Sequence, residues 1–204
     1  MGSRALHGHQ GGVLAVCPVF VDGRQLLACG GDRTVRIWDP ATGEQIVVLE
    51  SRQGEVLAVC PVTVDGRRLL ASGGGDGTVR IWDPATGEPV RTLKSDQGGV
   101  WSVCPVTVDG RQLLASGGGD GTVRIWDLAT GEQVRVLHGH QGTVRAVCPV
   151  TADGQDLLAS GSADRTIRIW NPATAQVWAL MRVERALRSC AQIGLRGLAV
   201  GGEG

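Results

Sequence analysis

Apolar and polar positions along this chain follow one short pattern that returns four times. In its second occurrence, Val56 to Thr63 (VLAVCPVT) is a nearly unbroken apolar run, which reads as a buried strand. Asp65-Gly66 follows, a hairpin signal because a type I′ turn needs positive φ at both central residues. Leu69-Leu70-Ala71-Ser72 makes a second strand, and Gly74-Gly75-Asp76-Gly77 turns the chain again. Thr78 to Trp82 (TVRIW) alternates, so Val79 and Ile81 face one side and Arg80 the other. Pro84-Ala85-Thr86-Gly87 is the third turn, and Pro89 to Leu93 (PVRTL) is an alternating fourth strand. Four short strands joined by tight turns predict one antiparallel meander sheet.

The unit is copied at a fixed interval. Trp38, Trp82, Trp126 and Trp170 stand 44 residues apart within TVRIWDP, TVRIWDP, TVRIWDL and TIRIWNP. The matching hairpin turns are Asp22-Gly23, Asp109-Gly110 and Asp153-Gly154. A unit of this size cannot bury its own apolar face, so successive units must stack. Pro18, Pro61, Pro105 and Pro149 fall inside the four first strands. Proline cannot donate to a ladder, so each first strand belongs at a sheet edge. A radial stack places such an edge along a central channel, which favours a propeller over a sandwich.

The phrases LLASGGGDGTVRIWD and LHGHQG resemble the WD40 repeat, strongly over residues 3 to 174. The stretch VTVDGRRLLASGGGDGTVRIWDPATGE also resembles WD40 arrays of actinobacteria. The resemblance implies an all-β, WD40-type β-propeller that serves as a protein-interaction platform. The expected layout is a single domain over residues 1–204, with complete four-stranded blades at about 13–49, 56–93, 100–137 and 144–180 and an incomplete fifth, a degenerate half blade, at 187–204. Ser3 to Leu6 match Arg135 to Leu137, so the chain opens on the tail of a fourth strand. Val177 to Leu180 fit a fourth strand, and Arg188 to Ile193 and Leu198 to Gly201 fit first and second strands. Propellers of this kind close with about seven blades, within a general range of roughly four to eight. Three readings of the ends follow: a fragment of a longer product, an open array that closes on another copy, or a strained small ring.

Composition narrows the function. The chain has 204 residues, 42% hydrophobic, with 20 basic and 20 acidic residues balancing to a net charge of zero. No basic stripe supports nucleic-acid binding. No apolar stretch of roughly 18 residues predicts a membrane span. The N-terminus MGSRALHGHQ has no apolar segment of a signal peptide, which points to the cytoplasm and to reduced thiols. No P-loop or kinase signature is present, and no cofactor is expected.

Within the resemblance, His140, Ser160, Asp164 and Trp170 match the hydrogen-bonded tetrad of a WD40 blade, a buried polar chain that ties a loop to its sheet. A Ser-His-Asp hydrolase triad is the competing reading. It is disfavoured because parts of the set recur in every blade and no oxyanion-hole motif or nucleophile elbow appears. Blade 1 has His9, Asp32 and Trp38 but Cys29 in place of the serine, and a turn one residue shorter. Blades 2 and 3 keep Ser72, Asp76, Trp82 and Ser116, Asp120, Trp126, but place Arg52 and Asp96 where histidine would stand. Their loops are therefore expected to lose the tether, at about 1 kcal/mol per missing bond.

Cys17, Cys60, Cys104 and Cys148 share one first-strand position, with Cys190 near the matching place in the half blade. A thiol metal site would need paired ligands such as CxxC, and none is present, so these are read as small buried hydrophobes. The position after the first-strand valine varies instead: Leu14, Leu57, Trp101 and Arg145. By resemblance it lies near the channel rim on the top face, and Trp and Arg are the types most enriched at binding hot spots. These four are the candidate partner-binding residues. Trp178 replaces Arg135 of the preceding blade, and the third-strand arginines Arg36, Arg80, Arg124 and Arg168 are read as solvated or paired with acids.

The leading function is a non-catalytic scaffold within a larger bacterial signalling or regulatory protein. The alternatives are an open propeller that closes by homo-oligomerisation and a channel-centred enzyme. The apolar first strands VLAVCPV, VWSVCPV and VRAVCPV disfavour the enzyme.

Overall fold

The computed structural model describes residues 8–51 and 54–184, and over these the chain is all β. The expected N-terminal strand tail, Arg52, the half blade at 187–204 and Cys190 lie outside the described residues. Among the described residues sixteen strands form four sheets. The first holds β1 (Ala15–Val21), β2 (Arg24–Gly30), β3 (Thr34–Trp38) and β4 (Gln45–Glu50). The second holds β5 (Val56–Val64), β6 (Arg67–Gly74), β7 (Thr78–Trp82) and β8 (Pro89–Lys94). The third holds β9 (Val100–Val108), β10 (Arg111–Gly118), β11 (Val123–Trp126) and β12 (Gln133–Leu137). The fourth holds β13 (Val144–Ala152), β14 (Gln155–Ser162), β15 (Thr166–Asn171) and β16 (Gln176–Arg182). Each sheet is an antiparallel meander in chain order.

Turn chemistry sets the register. At the four Asp-Gly turns both residues have positive φ, for example 49° at Asp65 and 76° at Gly66, as a type I′ hairpin requires. After each third strand, the carboxylate of Asp39, Asp83 or Asp127 accepts backbone N–H groups two and three residues on. Arg24, Arg67 and Arg111 cap the same carboxylates. In blade 4 the turn residue is Asn171 and the arginine position is Gln155, so charge is lost from both partners together.

The proline-bearing strands β1, β5, β9 and β13 each lie at a sheet edge and pack on one another in succession. Three apolar seams join the blades. In the first, Cys17, Val19, Ala28, Ile37 and Leu49 meet Val56, Val59, Leu70 and Trp82 of the next blade. Equivalent sets join blades 2 and 3, and blades 3 and 4. Each blade thus presents a leading face and a trailing face of different composition. Backbone approaches closely where Gly30, Gly73 and Gly117 lie against Val56, Val100 and Val144 of the following blade.

Two expectations need correction. Trp178 takes the register of Val134, not Arg135: Trp170 pairs with Val177 and Ile169 with Ala179, as Trp126 pairs with Gln133 and Ile125 with Arg135. The repeated bulge after the third-strand isoleucine holds the spacing constant, and Trp178 occupies it, packed on Leu157 and Ile169. The third-strand arginines meet the expectation of solvated or acid-paired side chains only at Arg124; the other three are half-buried against other partners. Arg36 bonds Gln45 Oε1 at 2.6 Å, Arg80 bonds the Ser51 carbonyl, Arg124 pairs with Asp120 at 3.1 Å, and Arg168 lies over the Trp170 ring at 5.7 Å. Their Nε atoms are buried without a hydrogen-bond partner, and in blade 4 the guanidinium covers the framework tryptophan.

Candidate functional site

The framework of the upper loops is densest in blade 4. Trp170 Nε1 donates to Ser160 Oγ at 2.7 Å, and Ser160 Oγ lies 2.7 Å from His140 Nε2. His140 Nδ1 lies 3.0 Å from Asp164 Oδ2. Every group is satisfied when Nδ1 carries the imidazole proton and donates to the carboxylate, leaving Nε2 to accept from the serine hydroxyl. The Asp164 carboxylate also accepts from the backbone N–H of Gln141 and from Thr166 N and Oγ1. Ser160 is wholly buried and its oxygen is spent on two framework bonds, so it offers no route to a substrate.

Burial holds the His140 imidazole below its usual pKa of 6.5, outweighing the hydrogen bond and charge of Asp164. The contact is therefore a hydrogen bond of a neutral ring, although its geometry is that of an ion pair. Burial alone would raise Asp164, but bonds from Thr166, Gln141 and His140 hold it well below the carboxylate range. Asp32 is held at about 2 in the same way, against its burial, by His9, Gln10 and Thr34. A depressed histidine takes up its proton in the unfolded chain first, so stability falls as pH drops through 6.5. The depressed carboxylates contribute stability above 3.8 that is lost as pH falls through their folded values, toward about 2 for Asp32. Urea midpoints measured against pH should show two stages of loss, and His140→Gln should remove part of the upper one. A single stage confined to acid pH would contradict the neutral buried imidazole.

The other blades vary this network. In blade 1, His9 Nδ1 lies 2.7 Å from Asp32, but His9 Nε2 is buried without a partner, because the serine position holds Cys29. In blade 2, Trp82 Nε1 donates to Ser72 at 2.9 Å, and Asp76 binds Thr78. Blade 3 corrects the expectation of a lost tether. Gln97, the residue after Asp96, turns its side chain into the space used by histidine in blade 4. Ser116 Oγ donates to Gln97 Oε1 at 2.9 Å, and Gln97 Nε2 reaches Thr122 Oγ1 at 3.2 Å. Trp126 completes the chain through Ser116 at 2.9 Å. Asp96 and Gly98, at φ of 47° and 68°, swing the loop so that the glutamine points inward and the aspartate outward. The signal available in sequence was the Gln-Gly pair after the histidine position, present in every blade.

The varied first-strand residues are all exposed or half-buried. Trp101 is 40% exposed, and the Arg145 guanidinium of the next blade lies over its ring at 5.4 Å. A Cβ on Gly99 would lie 3.3 Å from both Leu57 Cδ1 and Trp101 Nε1, so that glycine lets Leu57 of blade 2 come beside the tryptophan. Leu57, Trp101 and Arg145 thus form one run across three blades. Leu14 stands exposed at the corresponding place of blade 1. The framework fixes the loops just above this run.

The first-strand cysteines lie deeper. Cys17, Cys60 and Cys104 are buried and Cys148 is half-buried. Desolvation pushes the thiols of Cys17, Cys60 and Cys104 up, to about 12 for Cys17, so these three remain protonated and apolar. Among the described residues no group of three or more His, Cys, Asp or Glu side chains is placed to hold a metal. Nor is any helix there long and apolar enough to cross a membrane.

The family model described as WD domain, G-beta repeat matches residues 3–39, 43–83, 87–127 and 131–171. Each of the last three matches begins before the fourth strand of one sheet and ends at or just past the end of the third strand of the next. The repeat and the blade are therefore out of phase by one strand. No curated protein matches the chain.

Proposed function

This chain belongs to the WD40 repeat family, and from that premise we propose that it works as a non-catalytic protein-interaction scaffold. WD40 repeats are generally protein-interaction scaffolds. The observation that supports a specific surface is the Leu57, Trp101 and Arg145 run, with Leu14 exposed at the corresponding place of blade 1. A half-exposed tryptophan stacked by an arginine presents a large apolar area at small entropic cost and a charge already fixed in place. The finer reading, a cytoplasmic bacterial signalling or regulatory protein, draws on the resemblance to actinobacterial arrays.

Alanine at both Trp101 and Arg145 should weaken any captured partner by about 2 kcal/mol or more, roughly 30-fold, with the circular dichroism spectrum unchanged. The comparison is a capture from cell extract with wild type and double variant side by side. Undiminished capture by the variant would remove this surface from the function.

A second reading, closure by a second copy, is favoured by the trailing face of blade 1. Val13 and Val16 there are 52% and 60% exposed, whereas Val56, Val100 and Val144 at the first position are fully buried and Val59, Val103 and Val147 at the second are buried. At the other end, Cys148 and Val150 of blade 4 are more open than Cys104 and Val106 of blade 3. The chain's three internal seams display the surface that would cover the trailing face, namely another leading face. Light scattering across a concentration series should then show a dimer that Val16→Asp dissolves, and a monomer at all concentrations would sink this reading.

A further inference from the structure

The far ends of the first strands also vary. Phe20 stands where the other blades carry Thr63, Thr107 and Thr151. Opposite these, on the second strands, are Gln25, Arg68, Gln112 and Asp156. Arg68 of blade 2 reaches across the seam, its guanidinium 4.9 Å from the centre of the Phe20 ring. Beside this pair is a cavity of about 290 Å³, lined by Phe20, Pro61, Thr63, Arg68, Pro105 and Gln112 from three blades. Leu57 and Thr63 are six residues apart on one extended strand, about 20 Å, so the cavity opens at the opposite end from Trp101 and Arg145.

The cavity has apolar walls and one cation. Phe20 is 42% exposed, although it already carries the arginine on its ring. Among the described residues no carboxylate lies within ion-pair distance of Arg68. Pro61 and Pro105 lie on sheet-edge strands and have no N–H, and their register leaves their carbonyls facing away from the ladder. The site therefore offers acceptors, the polar ends of Thr63 and Gln112, an apolar wall and an uncompensated positive charge.

We propose that this cavity binds a partner's peptide segment in which a carboxylate side chain adjoins an apolar one. The carboxylate pairs with Arg68, which the Phe20 ring holds in place. The apolar side chain lies against Phe20 and the two prolines, and peptide N–H groups donate to the proline carbonyls. This site is separate from the upper run, so either can fail without the other.

The test is an NMR titration of the whole chain with N-acetyl-leucyl-aspartate methylamide, its asparagine counterpart and N-acetyl-leucinate. The aspartate probe should shift the amides of Phe20, Thr63 and Gln112 saturably and leave the Trp101 indole unmoved. The asparagine probe should bind about tenfold more weakly, because a charge-assisted bond is lost. Phe20→Thr, which installs the residue of the other blades, and Arg68→Gln should each abolish the shifts. Equal shifts from the asparagine probe, shifts that survive both variants, or none at millimolar probe would overturn the proposal. Binding of N-acetyl-leucinate as tight as the aspartate probe would make this a small-acid site and overturn the peptide reading.

Discussion

Replacing Ser160 with alanine is expected to destabilise the chain by about 2–5 kcal/mol, because it strands two buried groups at once. Trp170 Nε1 would lose its acceptor and His140 Nε2 its donor, and neither can reach water. Against a typical domain stability of about 5–15 kcal/mol this is a large fraction. The reciprocal substitution in blade 1 has the opposite sign. Cys29 shares the register of Ser160, between the first-strand valine and the third-strand arginine, and His9 Nε2 is already buried without a partner. Cys29→Ser should therefore stabilise by about 1 kcal/mol. Urea unfolding of both variants measures the pair. Equal midpoints for wild type and Ser160→Ala would show that the network does not tether the loop.

Valine at Gly117 is expected to cost at least about 3 kcal/mol, at the upper end of overpacking penalties. A Cβ there would lie 2.7 Å from Val144 Cγ1 and 3.0 Å from the Val144 carbonyl oxygen. The side chain could turn aside, but the oxygen is part of β13, so the whole first strand of blade 4 must move. Gly73 stands in the same relation to Val100, at 2.7 and 2.9 Å. The measurement is hydrogen exchange, which should show protection lost on both sides of the third seam, in β10 and β13, before the first seam opens. Uniform loss across all four blades would mean that the seams do not open separately.

Much of this was legible because the chain repeats itself. The Asp-Gly pairs demanded positive φ at two adjacent residues, the first-strand prolines demanded an edge, and the TVRIW alternation assigned Val79 and Ile81 to one face. His140, Ser160, Asp164 and Trp170 could be picked out because the resemblance to the WD40 repeat assigns a hydrogen-bonded tetrad to those positions. What stayed hidden depended on direction, not identity. Gln97 and Asp96 are neighbours, and only the left-handed backbone at Asp96 decides which of them enters the blade. The third-strand arginines look exposed by alternation, yet in blades 1 and 4 the loop ahead of the first strand descends onto them: a Cβ on Gly8 would lie 3.0 Å from Arg36 Nη1, and one on Gly139 2.7 Å from Arg168 Nη1. Trp178 was misplaced by one residue: it stands 44 residues after Val134, the interval that separates the tryptophans, and the bulge carries the same spacing in both blades.

The one-strand offset between repeat and blade has a consequence for how such an array can grow or be cut. A copy inserted at a repeat boundary brings the fourth strand of the sheet before it and three strands of its own. No sheet is left with an unpaired strand at the junction, so lengthening by duplication does not break a ladder. Scission between residues 39 and 43 would instead separate Thr34–Trp38 from Gln45–Glu50, two strands of one sheet. The fragments would share that sheet and should reassociate as complementing halves, with the backbone ladder between β3 and β4 as the joint.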